Sequence, residues 1–427
     1  MSLLIKRTGF FLLLFTYCSA AAQTTTSVRS AQAAADSLFR LKKYAEAAAG
    51  YTTAIDLADF KIKKADLYYN LANALALSGN ADSAFNALKQ AVGLGYNDKD
   101  HMENDKDLLT LHQQQGWHRL VAGIPKSKPL NSDPEKTAFR TDDIHRFWRA
   151  YDAAGLDTAN YTRIFQQLYF DSASSGMEDY MAYKVNSIDD FIAHIRSAPA
   201  FYHSIRAATF KSDAFKQDFL ASFKKLKALY PEAKFPDVYF VIGAFTSAGT
   251  VTGNGLLIGI NQICKTDSTR TEELSDRLKT RMNNISYLPN IIAHEAIHFQ
   301  QEGMNSDDTT TLRSVIVEGM ADFIGELISG ATANPVLFSW AKGKEKAIWS
   351  RFQKDMYQSR YGNWIANSKT SSPDNPPDQG YWVGYQICKS FYEKAGNKKK
   401  AIYDMLHIRD YRQFLKLSGW EEKLAGI

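Results

Sequence analysis

Three cysteines in 427 residues are too few for a disulfide framework. Cys18 falls in the extreme N-terminal stretch, which leaves Cys264 and Cys388 to form one disulfide in an oxidising compartment or to remain as two buried thiols. An excess of charge of one sign is also lacking. The 51 basic residues are spread among 46 acidic ones for a formal charge of +5, with no long basic run and no interleaving of aromatic with basic residues. That pattern argues against nucleic acid as a partner. No cationic amphipathic stretch suits a membrane surface. Beyond the N-terminus no segment approaches the ~20 apolar residues of a membrane-spanning helix, so none is expected in the mature chain.

What is present begins with an export signal. Lys6 and Arg7 precede the apolar run "FFLLLFTY", and the small residues "SAAA" follow it, which makes 1–22 a signal peptide cleaved after Ala22. Tyr17 is bulky where bacterial lipoprotein signals carry a small residue before the cysteine, so a soluble exported protein, periplasmic or secreted, is expected rather than an anchor at Cys18. The length exceeds the usual size of one domain, which predicts a helical accessory unit beside a larger core.

Two segments of the accessory unit align with each other. Tyr44, Ala47, Tyr51 and Ala54 recur as Ala81, Ala84, Leu88 and Ala91, with Gly79 at the turn of the second unit. The pattern resembles tetratricopeptide repeats, in which small residues let antiparallel helices approach closely, and it implies a surface for a protein partner over residues 23–125. "YNDKDHMENDKD" alternates acidic residues but lacks the glycine and the bidentate glutamate of a calcium loop, so it reads as a solvated turn leading to a capping helix. Residues 126–140, rich in Pro, Ser and Lys, read as a linker.

From 141 to 427 the composition turns aromatic. Ile144, Phe147, Trp148 and Tyr151 share one helical face, with His145 off that stripe at the surface. "DVYFVIGAF" and "GLLIGINQI" read as two strands of a small antiparallel sheet separated by a Gly/Thr/Ser turn, and the remainder reads as helices. The fold expected is α+β, mostly helical.

"NIIAHEAIHFQQ" carries the chemistry. His294 and His298 lie one helical turn apart and can reach one cation, while Glu295 is displaced by about 100° around the axis. Zinc held there would acidify a bound water, with Glu295 positioned as its base. Downstream, "SVIVEGMADFIGELISG" offers Glu318 as a third ligand, and Asp322 one turn later to hold an imidazole by its other nitrogen. The apolar flanks Ile316, Val317 and Met320 argue against Glu318 as a solvated residue.

HEAIH followed by EGMAD is similar to the glutamate-zincin metallopeptidases. "FWRAYD", "VYFVIGAFTSAGT", "VEGMADFIGEL" and "GYWVGYQI" together resemble a bacterial family of predicted zinc-dependent proteases, over most of 141–427. The resemblance implies a zincin-like domain, Zn2+ held by His294, His298 and Glu318, Glu295 as general base, Asp322 behind the ligands, and a peptide or protein substrate along an edge strand. A donor for the oxyanion is expected from Tyr381 or Tyr385, and Gly380 and Gly384 allow close backbone approach to the site or tight helix packing. Two readings follow: an exported zinc metallopeptidase, or a cell-envelope interaction protein whose zinc site is structural or inert.

Overall fold

The computed structural model describes residues 27–124, 130–372 and 374–426. The export signal, its cleavage point and Cys18 lie outside the described residues. The chain starts as two helical hairpins. Ser27 caps α1 (Val28–Arg40) by accepting from the Ser30 N–H, and the Ser30 hydroxyl accepts in return from the Ser27 N–H. α1 packs on α2 (Tyr44–Leu57), and α3 (Lys61–Leu77) packs on α4 (Ala81–Gly93). Ala35, Ala47, Ala54, Ala72, Ala84 and Ala91 are wholly buried, and a Cβ on Gly50 would come within 2.9 Å of the Ala35 methyl. Small side chains therefore set the spacing of these helices. The acidic stretch closes the unit: Asp98 caps the short helix Lys99–Asn104, and Asp105 accepts from the Tyr69 hydroxyl (2.7 Å) and the Asn73 amide (2.9 Å).

The larger region is organised around a four-stranded mixed sheet of order β1-β2-β4-β3. β1 (Phe139–Arg140) pairs in parallel with β2 (Val238–Val241), so the end of the stretch expected as linker belongs to the sheet. Asp237 ties it there, accepting from the Ala138 N–H and pairing with the Arg140 guanidinium at 2.8 Å. The two apolar runs do form strands, but β2 and β4 (Gly255–Gly259) run parallel rather than antiparallel. Every residue of both is buried, as strands covered on two faces require. The Gly/Thr/Ser segment expected as a turn supplies the outer strand β3 (Gly249–Thr252), half-buried and antiparallel to β4.

Helices cover the sheet. α5 (Asp142–Leu156) buries Ile144, Phe147 and Trp148 and leaves His145 exposed. α6 (Ser175–Lys184) packs on β2 and β4, followed by α7 (Ile188–Ser197) and α8 (Lys216–Leu229). α9 (Leu288–His298), α10 (Thr311–Ser329) and α11 (Gln379–Lys394) form the layer that carries the site. Gly319 and Gly384 bring α10 and α11 into backbone contact: a Cβ on Gly384 would overlap the Val315 carbonyl. The glycines of α11 thus serve helix packing. The hairpins touch this region along α3 and α6, where Asp59 accepts from the Ile188 N–H at the start of α7 (2.8 Å) and Phe60 lies 6.0 Å from Phe170. Cys264 and Cys388 are both free and buried, and burial pushes both thiols above their ordinary range.

Candidate metal centre

Two helices supply the site. α9 begins with Pro289 in its first turn, where a missing N–H costs nothing, and its last turns place His294 and His298 on one face. α10 is capped by Thr310, whose hydroxyl accepts from the Arg313 N–H, and is stopped by Gly330 in the left-handed conformation. Glu318 and Asp322 lie one turn apart on α10 and face α9. His294, His298 and Glu318 place one ligand atom each within 4.8 Å of one another.

Hydrogen bonds decide which nitrogens face inward. The Gln301 amide donates to the Val317 carbonyl (2.8 Å), so its oxygen faces His298 Nδ1 at 2.7 Å and must accept. Asp322 accepts from His294 Nδ1 at 2.8 Å with one oxygen and from the Asn334 amide at 2.7 Å with the other. Both Nδ1 atoms therefore carry protons. In the neutral rings both Nε2 atoms present lone pairs, 3.0 Å apart, with a Glu318 oxygen 3.2 Å from His298 Nε2 and 3.6 Å from His294 Nε2.

Three acceptors converging without a cation repel one another. Ligands about 2.1 Å from zinc at tetrahedral angles stand roughly 3.4 Å apart, and the three separations bracket that value. The residues present fit such an ion. Burial by itself would discourage charge on either imidazole, yet Asp322 and Glu318 raise His294, and Glu318 raises His298. Burial likewise opposes ionisation of Glu318, but the two imidazoles hold its carboxyl well below the ordinary range. The field thus favours positive charge between them.

Glu295 is 8% exposed and has no ion pair among the described residues. Burial raises its carboxyl, opposed by the two imidazoles. It lies against β3, where a Cβ on Gly249 would overlap its carboxylate, so only a glycine lets the strand pass this close. Tyr381 stacks on His294 with ring centres 5.9 Å apart. Burial and the Glu318 and Asp378 carboxylates push its hydroxyl well above the ordinary range. Tyr385, one turn along, is turned away from the imidazoles: its ring meets Phe338 at 4.6 Å and Phe323 at 5.6 Å, and Lys389 lies over it. Gln301 and Asn334 escaped the reading of the sequence. Gln301 stands three residues after His298, a spacing that was available as a signal; Asn334 sits at the start of another helix and offers none.

The fold and site define a mostly helical protein with a small mixed sheet, paired helical hairpins and a two-histidine, one-glutamate centre suited to a divalent cation. Among the described residues no helix is long and apolar enough to cross a membrane. The profile of one family, described as gliding motility protein GldB and labelled a lipoprotein family, matches residues 131–422. That is well over half of the chain, and the chain belongs to this family. No curated protein and no solved structure matches it. The family match overturns the assignment to a zinc-protease family and, with it, the expected function as a gluzincin-like metallopeptidase hydrolase acting on a peptide substrate. Similar spacings of HEAIH and EGMAD report which side chains converge; the reaction does not follow from convergence alone.

Proposed function

We infer that this is an exported, envelope-associated interaction protein of the gliding apparatus, built around a zinc centre. The observation that carries the metal is the convergence of a carboxylate with two imidazole lone pairs, each ring oriented by a further hydrogen bond. His294, His298 and Glu318 would hold the ion and so join α9 to α10, and the ion would supply a fixed positive charge there. The helical hairpins offer a second surface for a protein partner. The lipoprotein label of the family supports attachment through Cys18 in place of the soluble form that Tyr17 suggested.

The test joins metal content to motility. Wild-type protein should purify with close to one zinc per chain, and His298→Ala should lose it. Cells of the source organism carrying His298→Ala at wild-type protein level should fail to glide. Cys18→Ser should move the protein from the membrane fraction to the soluble one. Normal gliding by cells whose protein has lost its zinc would sink the reading.

A further inference from the structure

Between α10 and α11 the short helix Pro335–Ala341 has one face anchored and the other uncovered. Asn334, just before it, donates to Asp322 at 2.7 Å, Leu337 and Ala341 are buried, and the Phe338 ring meets Tyr385 at 4.6 Å. Val336 and Trp340 are four residues apart and so share a face. Val336 is 81% exposed and Trp340 is half-buried. Lys342, Lys344 and Lys346 follow around the left-handed turn at Gly343 (φ +77°), and all three are exposed. Lys344 donates to the Trp340 carbonyl at 2.6 Å and holds its ammonium 4.7 Å from the centre of that ring. Glu345 is the one acidic residue in 334–347, and its carboxylate accepts from the Gly343 N–H at 3.0 Å. Behind the helix charge of both signs is present: Glu326 acts on the Tyr385 hydroxyl, and Lys389 lies over the same ring at 5.6 Å.

An exposed valine and a tryptophan on one face, bordered by lysines, suit the boundary between a bilayer and water. The valine gains by leaving water, an indole favours the headgroup layer, and ammonium groups meet lipid phosphates. Lysine stems can lie along such apolar surface while their heads stay with the phosphates. We propose that Val336, Trp340 and the three lysines form a contact with an anionic phospholipid surface, separate from any lipid attached at Cys18. Three lysines against one glutamate set the sign of the partner. A chain held through Cys18 would carry this face beside a bilayer, which favours lipid over a soluble acidic protein as the occupant. No cationic amphipathic stretch was expected from the sequence, because a helix of 7 residues is too short to show a period and its lysines stand beyond its end. The contact needs no metal, so it stands apart from the zinc reading.

The test uses the mature chain made without lipid as the Cys18→Ser variant. It is sedimented with vesicles of phosphatidylcholine and phosphatidylglycerol in equal parts, and with phosphatidylcholine alone as the zwitterionic control. The anionic vesicles should bind it about a hundredfold more tightly than the control, and added salt should erase the difference. Val336→Asp should weaken binding about tenfold or more, as loss of one inserted valine does. Replacing Lys342, Lys344 and Lys346 together by glutamine should cost about a hundredfold, from roughly fivefold per lysine. Leu156→Asp, at a leucine of α5 that is 92% exposed, should leave binding unchanged. A polarity-sensitive fluorophore on Val336→Cys should shift to the blue when anionic vesicles are added, since Cys264 and Cys388 are buried and escape labelling. The substituted side chains are exposed, so the fold should survive each change. Equal binding to both kinds of vesicle, or a Val336→Asp variant that binds as well as the unsubstituted chain, would overturn the proposal. Binding to neither would overturn it too and leave this face to a protein partner.

Discussion

The hairpins of residues 27–124 bury alanines, whereas the region from residue 131 onward buries rings. Ala35, Ala47, Ala54 and Ala84 form the contact surfaces of the first; Phe147, Trp148, Tyr169, Phe191, Phe201 and Tyr202 interlock in the second. In the hairpins each helix meets its neighbour in sequence, so a local pattern specifies the contact. In the larger region less local contacts join in: α10, which ends at Ser329, packs on α11, which starts at Gln379, and β1 pairs with a strand about a hundred residues away. The difference teaches where each region is fragile. One is sensitive to added bulk between helices, the other to anything that separates distant segments.

The largest break in that contrast is expected from Gly384→Leu. Its side chain cannot fit against the Val315 carbonyl, so α10 and α11 must part, and the larger region should lose upwards of about 4 kcal/mol. Thermal unfolding followed by near- and far-ultraviolet circular dichroism should show the aromatic signal lost while the hairpins' helicity persists. Loss of both signals together would show that the interface along α3 and α6 makes one cooperative unit.

Metal should sharpen the contrast next. At a hundredfold excess over its dissociation constant, zinc should stabilise the larger region by about 2.7 kcal/mol, and His298→Ala should abolish this increment. Hydrogen exchange should show the gain in α9 and α10 and little in α1–α4. Equal protection of the hairpins would contradict the division.

Ala35→Leu tests the other side. Added bulk facing Gly50 should cost the hairpins about 1–3 kcal/mol and leave zinc affinity unchanged. A drop in zinc affinity would mean that α1 supports the site. Gln301→Leu should act at the site alone, weakening zinc binding about 10- to 100-fold through the freed His298 ring, as Asp322→Ala should through His294. Competitive titration with a chelator measures both.

The smallest effect is expected at the junction. Asp59→Ala removes the acceptor for the Ile188 N–H and should cost about 1 kcal/mol. Limited proteolysis that separates the two regions would accelerate if that bond holds them together, and an unchanged rate would show that the aromatic contact of Phe60 with Phe170 suffices.

Much of the site was legible because helical periodicity converts spacing into direction. His294 and His298 at four apart, and Glu318 and Asp322 at four apart, had to share faces once both segments were helices, and each segment could hardly be anything else. The same logic failed for Tyr381 and Tyr385. They share a face of α11, but that helix runs along α10, so the first reaches His294 and the second meets Phe338. Gln301 lies just beyond the helix end, where periodicity no longer fixes direction.

The sequence by itself determined the hairpins, the helical identity of α9 and α10, and the four side chains that converge between them, because these depend on contacts or periods within a few turns. Only the tertiary structure decided that the two apolar strands run parallel and that the segment between them becomes an edge strand against Glu295. Strand direction and the approach of that edge strand to α9 are set by how helices cover both faces of the sheet, and no local pattern of residues encodes that covering.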